Sequence, residues 1–432
     1  MKRRTLLKTA AGALAAPLYT TPILSGNSGP RTKFQRKGAI KKLLVFFQRG
    51  GNDGLNTLVP IDNTQHNHYM NLRPTVGLPA ASLLNVPGST FFAHHPGMNA
   101  LRPMMQNGHV SFIHCVGYPS PNRSHFESQS FYETATPGIS SGAGWLNRFL
   151  QQTTGAGLIR GVVIDNNLPQ IAAGQEPVPV STNFGNANID VDPALDNADS
   201  TLYLSKIEQI MNEAATPGNA TVYDTSKKVF DMINAFNDRN LNNYVPENGA
   251  VYPNNGIGRR VQHAAQMLKD DPSFLGIEVA VVNQGGYDTH ANQVPAVNPL
   301  TTNSGHGARL RELSESLAAF YTDMGPARMQ DCLVLMISEF GRRAFQNDSL
   351  GTDHGTGAVV MVMNTLASGQ AHNGDGDWPG LGNAALLQGR DLDWVTDFRD
   401  IYWEVLATHM GVAPATIGNI IPGHTYSPVG FL

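Results

Sequence analysis

A chain of 432 residues is long enough to bury a full core, as one large domain or two ordinary ones. Charged residues make up only 15% of it, well below the usual quarter, and 44 glycines with 27 prolines indicate a globular but loop-rich protein. With 30 basic and 34 acidic residues the net charge is −4, and no long Lys/Arg run follows the first few residues, which argues against nucleic acid as a partner.

At the N-terminus, Lys2, Arg3 and Arg4 precede a weakly apolar stretch from Ala10 to Leu24, interrupted by Gly12, Pro17 and Pro22. Paired arginines before such a stretch read as a twin-arginine signal, and Ala13 and Ala15 offer an A-x-A-like cleavage site. The stretch is too broken to span a membrane well. Residues 1–30 are therefore expected to be a signal peptide and linker. The twin-arginine export machinery would be a partner, and the mature protein would be periplasmic or secreted, with no stable membrane span after cleavage.

Further along, residues 43–48, 110–116, 277–283, 332–338 and 358–363 are short apolar runs bounded by Gly, Asp, Asn or Pro, the pattern of buried strands. Between them Ile257, Val261, Ala264, Ala265 and Leu268 follow one helix face, as do Leu310, Leu313, Leu317 and Phe320, and later Ile401, Val405 and Leu406. Buried strands alternating with amphipathic helices predict a mostly parallel sheet covered on both faces. Asn-, Asp-, Pro- and Gly-rich residues 169–202 and Asn-rich residues 237–255 read as long surface loops. No repeat or Gly/Ser linker divides the chain, so residues 40–432 are expected to form one domain with loop insertions. Cys115 and Cys332 lie inside apolar runs and read as buried free thiols, although an exported protein could pair them.

In open α/β sheets ligands bind beyond the carboxyl ends of the strands, so the polar residues after each run are where chemistry is sought. After residue 48 comes Gly50-Gly51-Asn52-Asp53-Gly54, with glycines for close backbone approach and a carboxylate at Asp53. It reads equally as an Asx-type turn. After residue 116 come Arg123, Ser124 and His125, a guanidinium to bind an oxyanion, a hydroxyl nucleophile and an imidazole. Ser124 with Glu127 also has capping-box spacing, and the two roles can coexist. After residue 283 come Asp288 and His290, which are two apart, so that in an extended segment they face one side and can share a metal. After residue 337 come Glu339 and Arg342, and then the Gly-flanked pair Asp353 and His354. Glu339 and Arg342 could also be a surface ion pair. His94-His95-Pro96 reads as a helix entry, and His424 as a loop histidine.

The twin-arginine start, Arg49 to Gly54, Arg123-Ser124-His125-Phe126, Gly144-Trp145-Leu146, Gly286 to His290, Ser338 to Arg342 and Gly351 to Gly355 together resemble one family. Arg390-Asp391-Leu392 and Thr396 to Arg399 also look like its C-terminal pattern. It is a large bacterial family of twin-arginine-exported proteins, a domain of unknown function in the alkaline phosphatase and sulfatase superfamily, and the likeness runs from about residue 40 to the end.

The resemblance implies an alkaline-phosphatase-like three-layer α/β/α sandwich with two metal ions at the strand ends. By position Asp53 would be the first-strand ligand and Ser124 the nucleophile, with Asp288, His290, Glu339, Asp353 and His354 supplying later ligands. Mixed oxygen and nitrogen donors favour Zn or Mn over Ca. Ser338-Glu339-Phe340 stands where the superfamily often has Asp-His. Pro119 occupies the register of a sulfatase's Cys or Ser nucleophile, which removes formylglycine chemistry. The function expected is metal-assisted hydrolysis of a phosphate or related ester, on a small-molecule or polymer substrate. Arg123 or Arg342 would oppose the developing charge and His125 would protonate the leaving oxygen. The alternative is a metal-containing ligand-binding or scaffold protein without turnover.

Overall fold

Residues 42–48, Lys-Leu-Leu-Val-Phe-Phe-Gln, are all buried and form β1 (Lys42–Gln48) inside the main sheet. Alternate side chains of a strand point to opposite faces, so a strand apolar from Leu43 to Phe47 needs cover on both sides. Leu44 and Phe46 join one core with Val261, Leu268, Leu310, Leu317 and Phe320. Leu43, Val45 and Phe47 join another with Phe131, Phe149, Tyr402 and Ile417. The outcome is an α/β/α arrangement of three layers. The first core lies under the helices Gly256–Leu268 and Gly305–Met329. The second lies under α1 (His125–Thr134), Trp145–Gln152, Phe398–Glu404 and Pro414–Ile420.

The computed structural model describes Lys33 and residues 40–155, 157–186, 202–203, 205–210, 220–238, 241–269, 275–295 and 302–432. The twin-arginine segment lies outside the described residues. Among those described, no helix is long and apolar enough to cross a membrane.

Three short strands, β2 (Leu58–Pro60), β3 (Leu84–Asn85) and β4 (Phe92–His94), make a small antiparallel sheet. The main sheet contains β1, β5 (Val110–Gly117), β6 (Gly161–Ile164), β7 (Val279–Gln284), β8 (Cys332–Ser338), β9 (Ala358–Met363), β10 (Ala371–His372) and β11 (Thr396–Asp397). Its order is β10-β5-β9-β8-β1-β7-β6, with β11 also on β5. Only β9 runs antiparallel to its neighbours. Phe46 of β1 stands between Val282 of β7 and Met336 of β8 in parallel register. The carboxyl ends of β1, β5, β7 and β8 therefore share one edge, and residues 351–357 reach that edge because β9 starts there.

The strand expected over 277–283 is shifted to Val279–Gln284, and the helix read from Ile401 ends at Glu404 before a π-helical turn, Val405–His409. β6, four residues of Gly-Val-Val-Ile, is too short to stand out in the sequence. The supposed loop 237–255 begins inside the helix Ala220–Asp238 and contains the short turn Leu241–Asn243. Over 169–186 the chain is loop broken by two turns, Gln170–Ala172 and Phe184–Asn186.

Both cysteines are buried and free. Cys115 lies near the carboxyl end of β5 and Cys332 starts β8, so in parallel strands separated by β9 they sit at opposite edges. Burial raises the Cys332 thiol to about 12.

A candidate metal centre at the carboxyl edge

The loops after β1 and β7 touch backbone to backbone. A Cβ on Gly50, whose φ is +119°, would lie 2.4 Å from the Asp288 nitrogen, and one on Gly51 would enter the Phe340 ring. Glycine at both positions lets Asp288 stand beside the β8 loop.

Three histidines surround Asp288. His125, the first residue of α1, turns Nδ1 to Glu339 Oε1 at 2.9 Å and brings Nε2 to 3.4 Å from Asp288 Oδ2. His354 turns Nδ1 to the Arg123 carbonyl at 2.8 Å and places Nε2 3.0 Å from Asp288 Oδ1. His290 turns Nδ1 to Asp353 Oδ1 at 3.1 Å, with Nε2 3.0 Å from Asp288 Oδ1. An acceptor facing each Nδ1 favours the ring proton there, which in the neutral rings leaves the Nε2 lone pairs converging. A ring nitrogen fixed by an outer acceptor is the arrangement by which proteins orient metal-binding histidines. His125, Asp288 and His354 each offer a ligand atom, and these atoms lie within 4.8 Å of one another. The buried His125 Nε2 has no hydrogen-bond partner. His290 and Asp288 are exposed, so the centre opens to solvent.

The surroundings set the charges. Burial works against the Glu339 carboxylate, yet hydrogen bonds from His125, Gln129 and the Gly50 nitrogen hold it below its usual range. The Glu339 hydrogen bond raises His125. Asp288 is held low against partial burial by Arg342 and His354. Burial lowers His354. Phe340 packs on the rings of His125 and His354 with centroids 5.0 and 4.8 Å away.

Of the residues singled out from sequence, Asp288, His290, His354, His125, Glu339 and Asp353 meet here. Glu339 and Asp353 face Nδ1 atoms of histidines instead of the converging Nε2 group. Arg342 is buried and donates to Asp288 Oδ1 at 2.9 Å and to the Thr352 carbonyl at 2.5 Å. Arg123 is paired with Asp391 at 2.5 Å and donates to Gln388. Ser124 precedes His125 as the N-cap of α1, but its side chain makes no capping hydrogen bond. The capping box with Glu127 does not form, because Asn122 accepts from the Ser124 nitrogen at 2.7 Å and donates to Glu127.

Asp53 lies apart from this convergence. Its carboxylate is fully buried against Arg73, with Gln293 donating to the same group. Burial opposes its charge, and Arg73 more than offsets that, so Asp53 is held low. His95 serves as the helix entry read from sequence, accepting from the Gly97 nitrogen at 2.8 Å. His424 pairs with Asp400 at 2.7 Å, away from the centre.

Sequence reading passes over Gln129, Gln293, Asn347 and Arg73. Gln129 lies one helical turn after His125, a spacing that puts both on one face. Asn347 donates to the His290 carbonyl and to Asp353.

A family model described as a protein of unknown function, DUF1501, matches residues 113–414. The chain belongs to that family. The matched segment contains every residue of the histidine centre and neither Asp53 nor Arg73. No curated protein matches the sequence. Among solved structures, the chain is similar to the C-terminal periplasmic domain of EcEptC from Escherichia coli in complex with Zn. The identity is 9% and the TM-score 0.34, over 76% of this chain and 74% of that one. It is also similar to the phosphonate monoester hydrolase of Agrobacterium radiobacter, at 11% identity and a TM-score of 0.26, over 90% and 78%.

Proposed function

We propose that this chain is an exported, metal-dependent hydrolase of a phosphate or related ester. One observation carries the reading: three imidazoles, each with Nδ1 held by a fixed acceptor, direct Nε2 toward one partly exposed carboxylate, Asp288. Nitrogen donors with a carboxylate suit Zn or Mn better than Ca. Asp288, His125, His354 and His290 would hold the ion, while Glu339 and Asp353 orient the rings. A divalent ion bound there supplies Lewis-acid charge to an ester oxygen and favours a deprotonated nucleophile at neutral pH.

The protein's own groups complete the chemistry. Ser124, one residue before His125 at the start of α1, would serve as the nucleophile. Arg342 holds Asp288 in position and adds fixed positive charge beside it. The motif resemblance names the ester class, and the paired arginines at residues 3 and 4 name the export route.

A panel of phosphomonoesters, phosphodiesters and sulfate esters, assayed with and without chelator, tests the proposal. Chelator-sensitive turnover supports it, and loss of that turnover in Ser124→Ala assigns the nucleophile. Absence of turnover on every ester, despite bound metal, favours a binding or scaffold protein. One observation favours that second reading: Arg123 is paired with Asp391 and Arg342 with Asp288, so each guanidinium charge is already offset by a carboxylate.

A further inference from the structure

We infer that the centre takes one metal ion, because the first-strand carboxylate that would hold a second, Asp53, is already committed to Arg73. This rests on the metal reading above. Arg73 and Asp53 both have fully buried side chains. Arg73 NH1 donates to Asp53 Oδ2 at 2.6 Å and NH2 donates to Asp53 Oδ1 at 3.0 Å, a bidentate pair. The remaining guanidinium donors go to Asn56 Oδ1 at 2.6 Å, the Arg343 carbonyl at 2.7 Å and the Ala344 carbonyl at 2.9 Å. All five donors of the guanidinium are thus matched.

Asp53 is equally closed. Gln293 donates to Oδ2, and its own oxygen accepts from Thr289 and Thr352, which ties Asp53 to the loops on either side of the histidine centre. A dication ligated by Asp53 would have to displace a buried guanidinium and leave it without its counter-charge, a large penalty for a desolvated ion. The ligand atoms of His125, Asp288 and His354 lie within 4.8 Å of one another, and those of His290 and His354 stand 2.9 Å apart, whereas the Asp53 carboxylate is turned to Arg73 and Gln293.

Arg73 also acts on the centre from a distance. Its donors to Arg343 and Ala344 fix the loop after β8, whose preceding residue Arg342 grips Asp288. Asp53 and Arg73 are therefore a positioning pair, and the first-strand carboxylate is a counter-ion in place of a ligand.

Metal stoichiometry decides the matter without reference to activity. Protein stripped by chelator is titrated with Zn²⁺, then with Mn²⁺, by calorimetry, and the loaded protein is analysed for metal content. One equivalent per chain is expected in the wild type and in Asp53→Asn, with affinities within a few-fold of each other. Two equivalents in the wild type, or loss of an equivalent in Asp53→Asn, overturn the inference while leaving the metal reading intact. No metal at all overturns the metal reading, and this inference with it. Should Asp53→Asn fail to fold, the wild-type count decides alone.

Discussion

The Nε2 atoms of His290 and His354 stand 2.9 Å apart, although the Nδ1 atom of each ring already faces an acceptor, Asp353 in one case and the Arg123 carbonyl in the other. Two neutral imidazoles with protons on Nδ1 would oppose lone pair to lone pair. A shared proton or a shared cation relieves this, and Asp288 beside both favours positive charge between them. Replacing Asp288 and His354 together by alanine is accordingly expected to reduce metal content to background while the far-ultraviolet circular dichroism is kept. Full metal content in the double variant would place the ion elsewhere.

Glu339 and Asp353 address the ring nitrogens that do not converge. Glu339→Gln and Asp353→Asn should each weaken metal affinity by about 10- to 100-fold without abolishing it. Competition with a chromophoric chelator measures the change, and an unaltered affinity in both variants would remove these carboxylates from the centre.

Arg73→Ala leaves the Asp53 carboxylate buried and unpaired, which should cost about 3–5 kcal/mol of stability. The double variant Asp53→Asn, Arg73→Met removes both charges and should cost less than the single change. Denaturant unfolding of the wild type, Asp53→Asn, Arg73→Met and the double variant gives the coupling between the two groups, and additive costs would contradict the pairing.

Gly50→Ala puts a methyl group against the Asp288 backbone at a φ of +119°. Backbone strain and overpacking should together cost about 2–5 kcal/mol. Because the Gly50 nitrogen also donates to Glu339, metal affinity should fall with stability. Thermal melting and metal titration of the same variant check both effects.

Burial holds four histidines outside the centre well below the ordinary value of 6.5: His95 and His114 at about 3, His306 and His409 at about 4. Each binds a proton more readily in the unfolded chain. Their stability contribution is therefore complete above pH 6.5 and is lost as pH falls from there toward 4 for His306 and His409 and toward 3 for His95 and His114, by up to about 1.4 kcal/mol per pH unit for each group. Melting of chelator-treated protein should drop steeply between pH 7 and pH 5. His409, whose Nε2 donates to the Lys42 carbonyl, offers a check: His409→Gln should make the slope shallower.

The sequence by itself determined the layered fold and the loops that meet at the candidate centre. Runs such as residues 43–47 are apolar at every position, and such a run has to be a strand covered on both faces. Glycine-flanked polar clusters after those runs marked the loops at which Asp288, His290, Glu339, Asp353 and His354 occur. What sequence spacing could not supply was direction and partnership. Residues 351–357 arrive at the centre because β9 runs antiparallel, a property of strand pairing and not of its six apolar residues. Asp53 and Asp288 look alike as carboxylates in glycine-rich loops after strands. Only the folded chain sets Arg73, twenty residues after Asp53, against the one and gathers histidines from three loops around the other. The physical reason is that a carboxylate takes its function from the charges and donors within a few ångströms of it, and contacts made across long stretches of chain exist only once the sheet has brought its loops together.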